Sequence, residues 1–252
     1  MHIKRKVSAG SVSSYLKSKS NSLFNWQLRY KSVCASTESD LSNWLLEKPI
    51  FGNKPRAIFA ASQKYGIGQR GRIWVSEKGG IWLSAALPCN DLKGTAGLLG
   101  LAIAYALCIR LEKSGIYTLI KWPNDLFFLD KKLAGFLPKL IYRGQNLRIA
   151  RVGLGMNILN RTPPNGISLC EILGGRNINL SEWSAEILIA LERAIYILKE
   201  EESFYLEAEK KLLKKNIVDP KTSLEWEVDG LDCNGGLKLK RGNIKTIWNR
   251  WS

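Results

Sequence analysis

The chain has 252 residues, of which 45% are hydrophobic, and it carries a formal net charge of +16. This length suits one main domain with at most a small addition, and the apolar content is sufficient for a substantial core. The longest mainly apolar stretch, residues 97–109, is too short to span a membrane and ends at Arg110. The positive charge favours an anionic partner such as nucleic acid, but no helix-turn-helix, zinc-finger or RNA-binding motif accompanies it.

The N-terminal region is basic and rich in serine, and no acidic residue precedes Glu38. It has no apolar segment of the kind that a secretory signal requires. We predict a flexible basic tail over residues 1–25, followed by a first strand at residues 26–34. An organellar presequence is an alternative for the tail, because such segments share this composition.

Periodicity and turn residues predict the elements that follow. A helix capped by Ser36 or Thr37 is expected to run to about residue 46. A strand at residues 56–61 and a glycine-rich loop at residues 66–71 come next. Further strands are predicted at residues 80–87, 117–121, 136–142 and 148–153, with a long buried helix at residues 92–113.

The last third of the chain changes from a helical to a β pattern. Residues 181–215 are expected to be helical, in two pieces. Strands then follow at residues 223–228, 237–240 and 244–248, with a turn at Asn234 and Gly235. This tail is too short to bury a core of its own, so we expect it to dock on the main domain. The lysine-rich runs at residues 210–215 and 237–241 are expected to be solvated faces.

The glycine-rich loop matches the spacing G-x-G-x-x-G, with Asp91 twenty residues beyond its last glycine. A dinucleotide-binding fold needs such a loop to begin a helix, and the residues after this one do not have a helical pattern. A loop that closes over an anionic ligand fits better, because Arg70 and Arg72 supply charge. The alternative is a mobile surface loop whose arginines face water.

The five cysteines are scattered without a CxxC pair, and His2 is the sole histidine. Disulfides and metal ligation are therefore weakly supported, and we expect reduced thiols in a cytoplasmic protein. With one histidine, the sequence offers neither a His-ligated zinc site nor a His-based triad, and we assign no metal ligand to the protein from it. Acid–base chemistry must depend on lysine, carboxylate or substrate groups.

The segment KWPND, residues 121–125, places a cation, an amide and a carboxylate at the end of a predicted strand. Pro123 fixes its own φ and biases the preceding residue towards an extended conformation. Lys121, Asn124 and Asp125 are therefore expected to emerge from a rigid bend, in a set that suits a phosphate and its metal ion. A tight turn with an ion-paired lysine is the alternative.

Six blocks of sequence resemble the biotin protein ligases in their order and spacing. The resemblance covers residues 33–160 well and the rest weakly, and several ordered blocks are more specific than any one motif. The blocks are CAST (34–37), SQKYGIGQRGRIW (62–74), GGIWLSAAL (79–87), KWPND (121–125), DKKLAGFL (130–137) and RVGLGMNI (151–158).

The resemblance implies an α/β fold in which helices pack on a mixed sheet, as in class II aminoacyl-tRNA synthetases and biotin ligases. It also implies a catalytic domain over residues 26–215 and a short SH3-like β domain over residues 216–252. About thirty residues precede the first block, too few for the winged-helix repressor domain of some family members. We therefore expect no DNA binding and no membrane association, and either a monomer or a homodimer.

The implied reaction is ATP-dependent biotin ligation. The biotin carboxylate would attack the α-phosphate of ATP, with Mg²⁺ as the natural metal, to give biotinyl-5′-AMP and pyrophosphate. The adenylate would then acylate a lysine of a biotin carboxyl carrier protein, the partner in acetyl-CoA carboxylase. Both steps build negative charge that fixed cations stabilise.

By position in these blocks, the implied catalytic residues are Lys121, Asp125 and Lys132. The implied biotin-binding residues are Ser36, Thr37, Gln63, Gly66, Ile67, Gln69, Trp82, Lys132 and Gly135. The implied ATP-binding residues are Arg70, Arg72, Trp74, Lys121, Asn124, Asp125, Lys132 and Asn157. Taken alone, Ser36 and Thr37 would be a helix cap, Trp82 a core residue and Gln63 a surface amide.

The loop departs from the family pattern at two positions. Ile67 and Gln69 stand where the family usually has arginines, and the second arginine helps to retain the adenylate. Gln69 cannot supply that charge, although Arg70 could substitute for it. Two other functions are alternatives: a lipoate–protein ligase, which shares the fold and the adenylation chemistry, and a basic nucleic-acid-binding protein, which leaves the six blocks unexplained.

Overall fold

The computed structural model describes residues 7–19, 24–50, 52–90, 92, 96–176 and 178–249. The helices are α1 Ala9–Ser18, α2 Thr37–Glu47, α3 Ala96–Glu112, α4 Leu169–Ile172, α5 Leu180–Glu200 and α6 Phe204–Lys210. The strands are β1 Gln27–Lys31, β2 Arg56–Ala60, β3 Ile81–Pro88, β4 Leu119–Lys121, β5 Asp125–Phe128, β6 Lys131–Arg143, β7 Asn146–Met156, β8 Ile217–Val218, β9 Glu225–Leu231, β10 Leu237–Arg241 and β11 Ile244–Trp248.

A seven-stranded mixed sheet forms the centre of the fold, in the order β1-β2-β3-β7-β6-β5-β4. Strand β1 is parallel to β2, and the remaining neighbours are antiparallel. A second sheet, β11-β10-β9-β8, is antiparallel and lies at the C-terminal end of the chain. The predicted mixed sheet with packed helices and a small C-terminal β unit is confirmed.

The two faces of the central sheet differ in their side chains. Leu83 of β3 and Leu154 of β7 belong to the main core, which also contains buried residues of α3 and α5. On the other face, α2 covers β2 and the end of β3 with a smaller apolar cluster. Next to α2, the same face carries Ser84 of β3, which pairs with Gly153 of β7, and Gly155, which lies two residues further along β7. Small side chains therefore leave room above the middle of the sheet.

The N-terminal region corrects one prediction. Instead of a flexible tail throughout residues 1–25, residues 9–18 form helix α1, which Ser8 caps and which buries Val12 and Leu16. The side chain of Lys19 lies 3.1 Å from a carboxylate oxygen of each of Glu182 and Glu186 in α5. The helix is thus fastened to the main domain. The tail prediction for residues 1–6 and 20–23 lies outside the described residues.

Several element bounds also differ from those predicted. Strands β6 and β7 are longer than expected because they pair with each other along most of their length. Strands β5 and β8 and the short helix α4 had not been predicted. The predicted helix at residues 92–113 begins at Ala96, and residues 93–95 lie outside the described part of the chain.

The lysine-rich run at residues 210–215 is a solvated face only in part: three of its four lysines are exposed, but the run also contains buried and ion-paired residues. Helix α6 ends at Lys210, and Leu212 is buried where it forms a bridge to Ile120. Lys211 and Lys215 form ion pairs with Glu112 and Asp130. These contacts attach the segment to the edge of the central sheet.

The C-terminal sheet docks on the main domain, as its short length predicts. Trp122 Nε1 donates a hydrogen bond to the carbonyl of Gly235 at 2.9 Å. A Cβ at Gly235 would lie 3.2 Å from the Leu98 side chain, so the turn approaches α3 closely. Buried apolar residues of β9 and β10 also join the main core. Among the described residues, no helix is both long enough and apolar enough to cross a membrane.

Candidate functional site

The glycine-rich loop forms a narrow hairpin at the border of the open sheet face. Ile67 and Ile73 form a bridge, and the Trp74 N–H donates to the Gly66 carbonyl at 2.8 Å. A Cβ at Gly66 would lie 2.4 Å from the Trp74 carbonyl oxygen, so a larger residue cannot fit there. Since the loop leads to a short 3-10 turn and not to an α-helix, the dinucleotide-fold alternative is excluded. Asp91 lies outside the described residues.

Polar side chains join helix α2, the loop and β3 in one hydrogen-bonded network. The Thr37 N–H and hydroxyl both donate to Gln63 Oε1, at 2.8 and 3.0 Å. Gln63 Nε2 donates to Ser76 Oγ at 2.9 Å, and Ser76 Oγ donates to the Trp74 carbonyl at 3.2 Å. The Thr37 hydroxyl also lies 2.9 Å from Ser84 Oγ. The side chain of Gln63 is therefore held in place by hydrogen bonds and is not a free surface amide.

Helix α2 begins where this network ends. Ser36 is its N-cap, and Ser36 Oγ accepts a hydrogen bond from the Glu38 N–H at 3.3 Å. The predicted cap is therefore confirmed. The cap and the network are compatible, since a hydroxyl that accepts a bond from the backbone can still donate its own hydrogen.

Two tryptophans lie one above the other beside the network. The Trp82 side chain is fully buried, and its Nε1 donates to the Glu77 carbonyl at 2.8 Å. The Trp74 ring packs edge to face on Trp82, with centroids 6.4 Å apart and an interplanar angle of 72°. A Cβ at Gly155 would lie 2.5 Å from the Trp74 ring, so the indole can pack on the sheet here only because residue 155 has no side chain. Trp74 Nε1 is buried without a hydrogen-bond partner among the described residues.

Lys132 and Asp125 form the charged end of the site. Lys132 Nζ lies 2.7 Å from Asp125 Oδ2 and 4.8 Å from the centroid of the Trp74 ring. A Cβ at Gly135 would lie about 3.0 Å from both of these charged side chains, so glycine makes room for the pair. Burial raises the pKa of the Asp125 carboxyl, although the neighbouring Lys132 ammonium opposes this shift.

The other residues of the KWPND and GLGMNI blocks surround this pair. The Lys121 ammonium lies 4.7 Å from the centroid of the Phe127 ring. The Asn124 amide donates to the Phe136 carbonyl on β6. Asn157 Nδ2 donates to the Lys132 carbonyl at 3.3 Å. Asn124 thus bonds the backbone of β6 at Phe136 and Asn157 bonds it at Lys132, and the contact of both amides with a nucleotide remains a prediction.

The structure brings most of the sequence-predicted site residues to one face of the sheet. Thr37 and Gln63 lie at one end and Asp125 and Lys132 at the other, with Trp74 between them. The exposed residues of the loop hairpin stand at the border of this face: Ile67, Gln69, Arg70 and Arg72. Within the described ranges, no group of three His, Cys, Asp or Glu residues could hold a metal ion.

Sequence reasoning missed Ser76 and Ser84. Both hydroxyls are buried, at 5% and 1% exposure, and both complete the network around Thr37 and Gln63. Ser84 interrupts an apolar run in β3, and this interruption was the signal that could have revealed it.

Residues 35–157 match the family described as Biotin/lipoate A/B protein ligase family. Over 208 residues, the chain is 30% identical to the "Bifunctional ligase/repressor BirA" of Salmonella typhimurium, a match that covers 76% of this chain and 64% of that protein. The protein of the same name from Bacillus subtilis is 33% identical over 143 residues, covering 54% of this chain and 41% of that protein. These matches support a biotin protein ligase catalytic domain in this chain. The chain spans less than two thirds of the length of either relative.

The fold of this chain is also found among solved structures. A biotin protein ligase from Aquifex aeolicus, solved in complex with biotin and ATP, superposes with a TM-score of 0.75 at 24% sequence identity. The match covers 89% of this chain and 96% of that one. At this identity the similarity establishes the fold.

Proposed function

We propose that this chain is an ATP-dependent biotin–protein ligase. The carboxylate of biotin attacks the α-phosphate of ATP, pyrophosphate leaves, and biotinyl-5′-AMP forms. A lysine amine of a biotin carboxyl carrier protein then attacks the acyl carbon, and AMP leaves. The observation that carries the proposal is the arrangement of the Thr37–Gln63 network and the Lys132–Asp125 pair at opposite ends of one glycine-floored site.

The network suits the ureido ring of biotin. Gln63 Nε2 uses one hydrogen on Ser76 and has a second to donate, and the Ser36 hydroxyl can donate its own hydrogen. Two donors of this kind would bind the carbonyl oxygen of a urea. The indole of Trp74 offers an apolar surface for the rest of the bicyclic ring, between the network and Lys132.

Lys132 is placed to bring the two reacting anions together. Its ammonium is held by Asp125 and by the face of Trp74, so its position is fixed before substrates arrive. A fixed cation stabilises the charge that develops on the phosphate oxygens without reorganisation cost. Lys121 and Arg72 add positive charge around Asp125, where we place the phosphates.

One protein carboxylate is sufficient for Mg²⁺ when the phosphates of ATP supply most of the other ligands. Magnesium usually retains water and is bound through one or two carboxylates together with phosphate oxygens, and Asp125 would supply the carboxylate here. When bound, Mg²⁺ neutralises phosphate charge. In the second step the acceptor amine, with an ordinary pKa of about 10.4, must lose a proton, and Asp125 is the group placed to accept it.

A direct test uses mass spectrometry. The purified chain is incubated with ATP, Mg²⁺, a biotin carboxyl carrier domain and either biotin or lipoate. We expect biotinyl-AMP and one biotin on the carrier lysine, with no labelling of a carrier whose acceptor lysine is replaced by arginine. Lipoyl-AMP in place of biotinyl-AMP would support the lipoate alternative. The absence of both adenylates with folded protein would refute the proposal.

A further inference from the structure

Ser84 lies on β3 at the centre of the sheet, with its hydroxyl on the face that carries the site. The residue is 1% exposed and pairs across the sheet with Gly153, where a Cβ would lie 4.0 Å from Ser84 Oγ. The position paired with Ser84 therefore carries no side chain on this face. Ser84 Oγ forms a hydrogen bond with the Thr37 hydroxyl at 2.9 Å.

The direction of this hydrogen bond follows from the rest of the network. Gln63 Oε1 is an acceptor, because the Thr37 backbone N–H donates to it. The Thr37 hydroxyl must then use its single hydrogen to reach the same oxygen at 3.0 Å. Ser84 is consequently the donor, and its hydroxyl occupies a lone pair of Thr37 Oγ1.

The same reasoning fixes the other end of the network. The Ser76 hydroxyl donates to the Trp74 carbonyl, so it accepts from Gln63 Nε2. The hydrogen bonds therefore point in one direction, from β3 through Thr37 and Gln63 to Ser76. The amide nitrogen of Gln63 faces the loop side, and its remaining hydrogen is a donor for a ligand.

We propose that Ser84 is a positioning and specificity-determining residue, whose donated hydrogen bond keeps the Thr37–Gln63 pair in the orientation that presents donors to a ligand carbonyl. This inference rests on the proposed function, since the carbonyl is that of the biotin ureido ring. Ser84 does not touch the reacting atoms and acts through Thr37. Its role is to favour a urea over a ring that carries hydrogens in place of the carbonyl oxygen.

Removing the hydroxyl should change ligand preference in a defined direction. In Ser84→Ala, a lone pair of Thr37 Oγ1 becomes available to accept a hydrogen from the ligand. A cyclic guanidinium analogue of biotin carries N–H donors where biotin carries its carbonyl oxygen. The difference in affinity between biotin and this analogue should therefore become smaller in the variant. We expect the Kd of biotin to rise roughly tenfold, the size of one buried hydrogen bond, and the Kd of the guanidinium analogue to change less.

The experiment measures both dissociation constants by calorimetry, with the full chain and with three variants. Ser184→Ala is the matched control, because Ser184 is equally buried, at 1% exposure, and donates within α5 to the Leu180 carbonyl at 2.7 Å. It should leave the preference for biotin unchanged. Ser84→Cys has a similar side-chain volume and a weaker hydrogen-bond donor, so it should shift the preference in the same direction by a smaller amount. If Ser84→Ala does not fold, Ser84→Cys replaces it in the test.

The outcomes separate this inference from the proposed function. The deciding quantity is the Kd of the guanidinium analogue divided by the Kd of biotin. A lower value of this ratio in the Ser84 variants, with an unchanged value in Ser184→Ala, supports the assignment. Equal weakening of both ligands, or an unchanged ratio in both Ser84 variants, overturns it while biotin binding by the wild-type chain still stands. If the wild-type chain binds no biotin, the proposed function fails and this inference falls with it.

Discussion

In the proposed reaction, Lys132 is the residue on which we expect the chemistry to depend most, because its ammonium lies between Asp125 and the Trp74 ring. Lys132→Ala should reduce the rate of adenylate formation by roughly a hundredfold or more, the scale for losing one preorganised electrostatic group. The measurement is single-turnover formation of biotinyl-AMP. Lys131→Ala is the matched control, since Lys131 is exposed on the same strand. Near-normal rates in folded Lys132→Ala protein would exclude the bridging role.

Asp125 should give the transfer step its pH dependence. Burial raises the pKa of this carboxyl, so it keeps its proton to a higher pH than an ordinary aspartate. Transfer from preformed adenylate should therefore be lost as the pH falls through this raised pKa, and Asp125→Asn should be slow at every pH. Asp130→Asn, at an exposed position, is the control.

Two rate measurements divide the roles of Asp125. If Asp125→Asn transfers biotin normally from preformed adenylate, the carboxylate is not the base. If it also forms the adenylate normally, the carboxylate does not hold Mg²⁺.

Gln69 should weaken the hold of the loop on the adenylate. It stands where the resemblance implies an arginine, at the start of the turn Gln69–Gly71 whose middle residue, Arg70, has a φ of 56°. Gln69→Arg should slow adenylate escape, because a charge-assisted hydrogen bond contributes about 1.5–3 kcal/mol. The test is the dissociation rate of biotinyl-AMP, with Arg70→Ala in parallel. An unchanged rate in Gln69→Arg and a sharp increase in Arg70→Ala would show that Arg70 performs the task.

At the scale of residues, the sequence predicted the groups whose chemistry is unusual for their surroundings, such as Lys121 and Asp125 beside a proline. It did not predict Ser76 or Ser84. Serine is common in strands and loops, and the hydrogen bonds that these two hydroxyls form depend on which segment lies opposite them. That register is set by the pairing of distant strands, which no local pattern contains.

At the scale of elements, α1 is the clearest departure from expectation. Its apolar residues are few, and serine and lysine dominate the segment, so the composition indicated a tail. The helix is stable because Val12 and Leu16 find a partner in α5, and tertiary packing supplies most of the stability of a short helix. Helix α5 was predicted well because the periodicity of its own apolar residues indicates a helix.

The docking of α1 can be measured by one truncation. Leu16 is 6% exposed, so Leu16→Ala should lower the free energy of unfolding by about 2–5 kcal/mol. Leu46→Ala is the control, because Leu46 in α2 is 81% exposed and its loss should cost less than about 0.5 kcal/mol. Equal stabilities of the two variants in urea denaturation would mean that α1 is not held on α5.

At the scale of the whole molecule, the cysteines report on the packed core. Burial raises the pKa of Cys34 and Cys89 to about 11 and that of Cys108 to about 12. Since the thiolate is the reactive form, these three should resist alkylation at pH 8, while the exposed Cys233 reacts. Reaction of the buried thiols should increase as the pH approaches these raised values. Mass spectrometry after iodoacetamide treatment, with and without denaturant, gives the pattern; rapid labelling of Cys108 in the native protein would contradict the fold.

The central claim joins the parts of the molecule: the sheet, the α2 cap and the loop hairpin form one site that makes biotinyl-AMP. The most direct measurement is isotope exchange between pyrophosphate and ATP, because it reports reversible adenylate formation without a carrier protein. The account predicts exchange that depends on biotin and Mg²⁺, is not supported by lipoate, and is nearly abolished in Lys132→Ala. Exchange that is independent of biotin, or its absence in folded wild-type protein, would contradict the account.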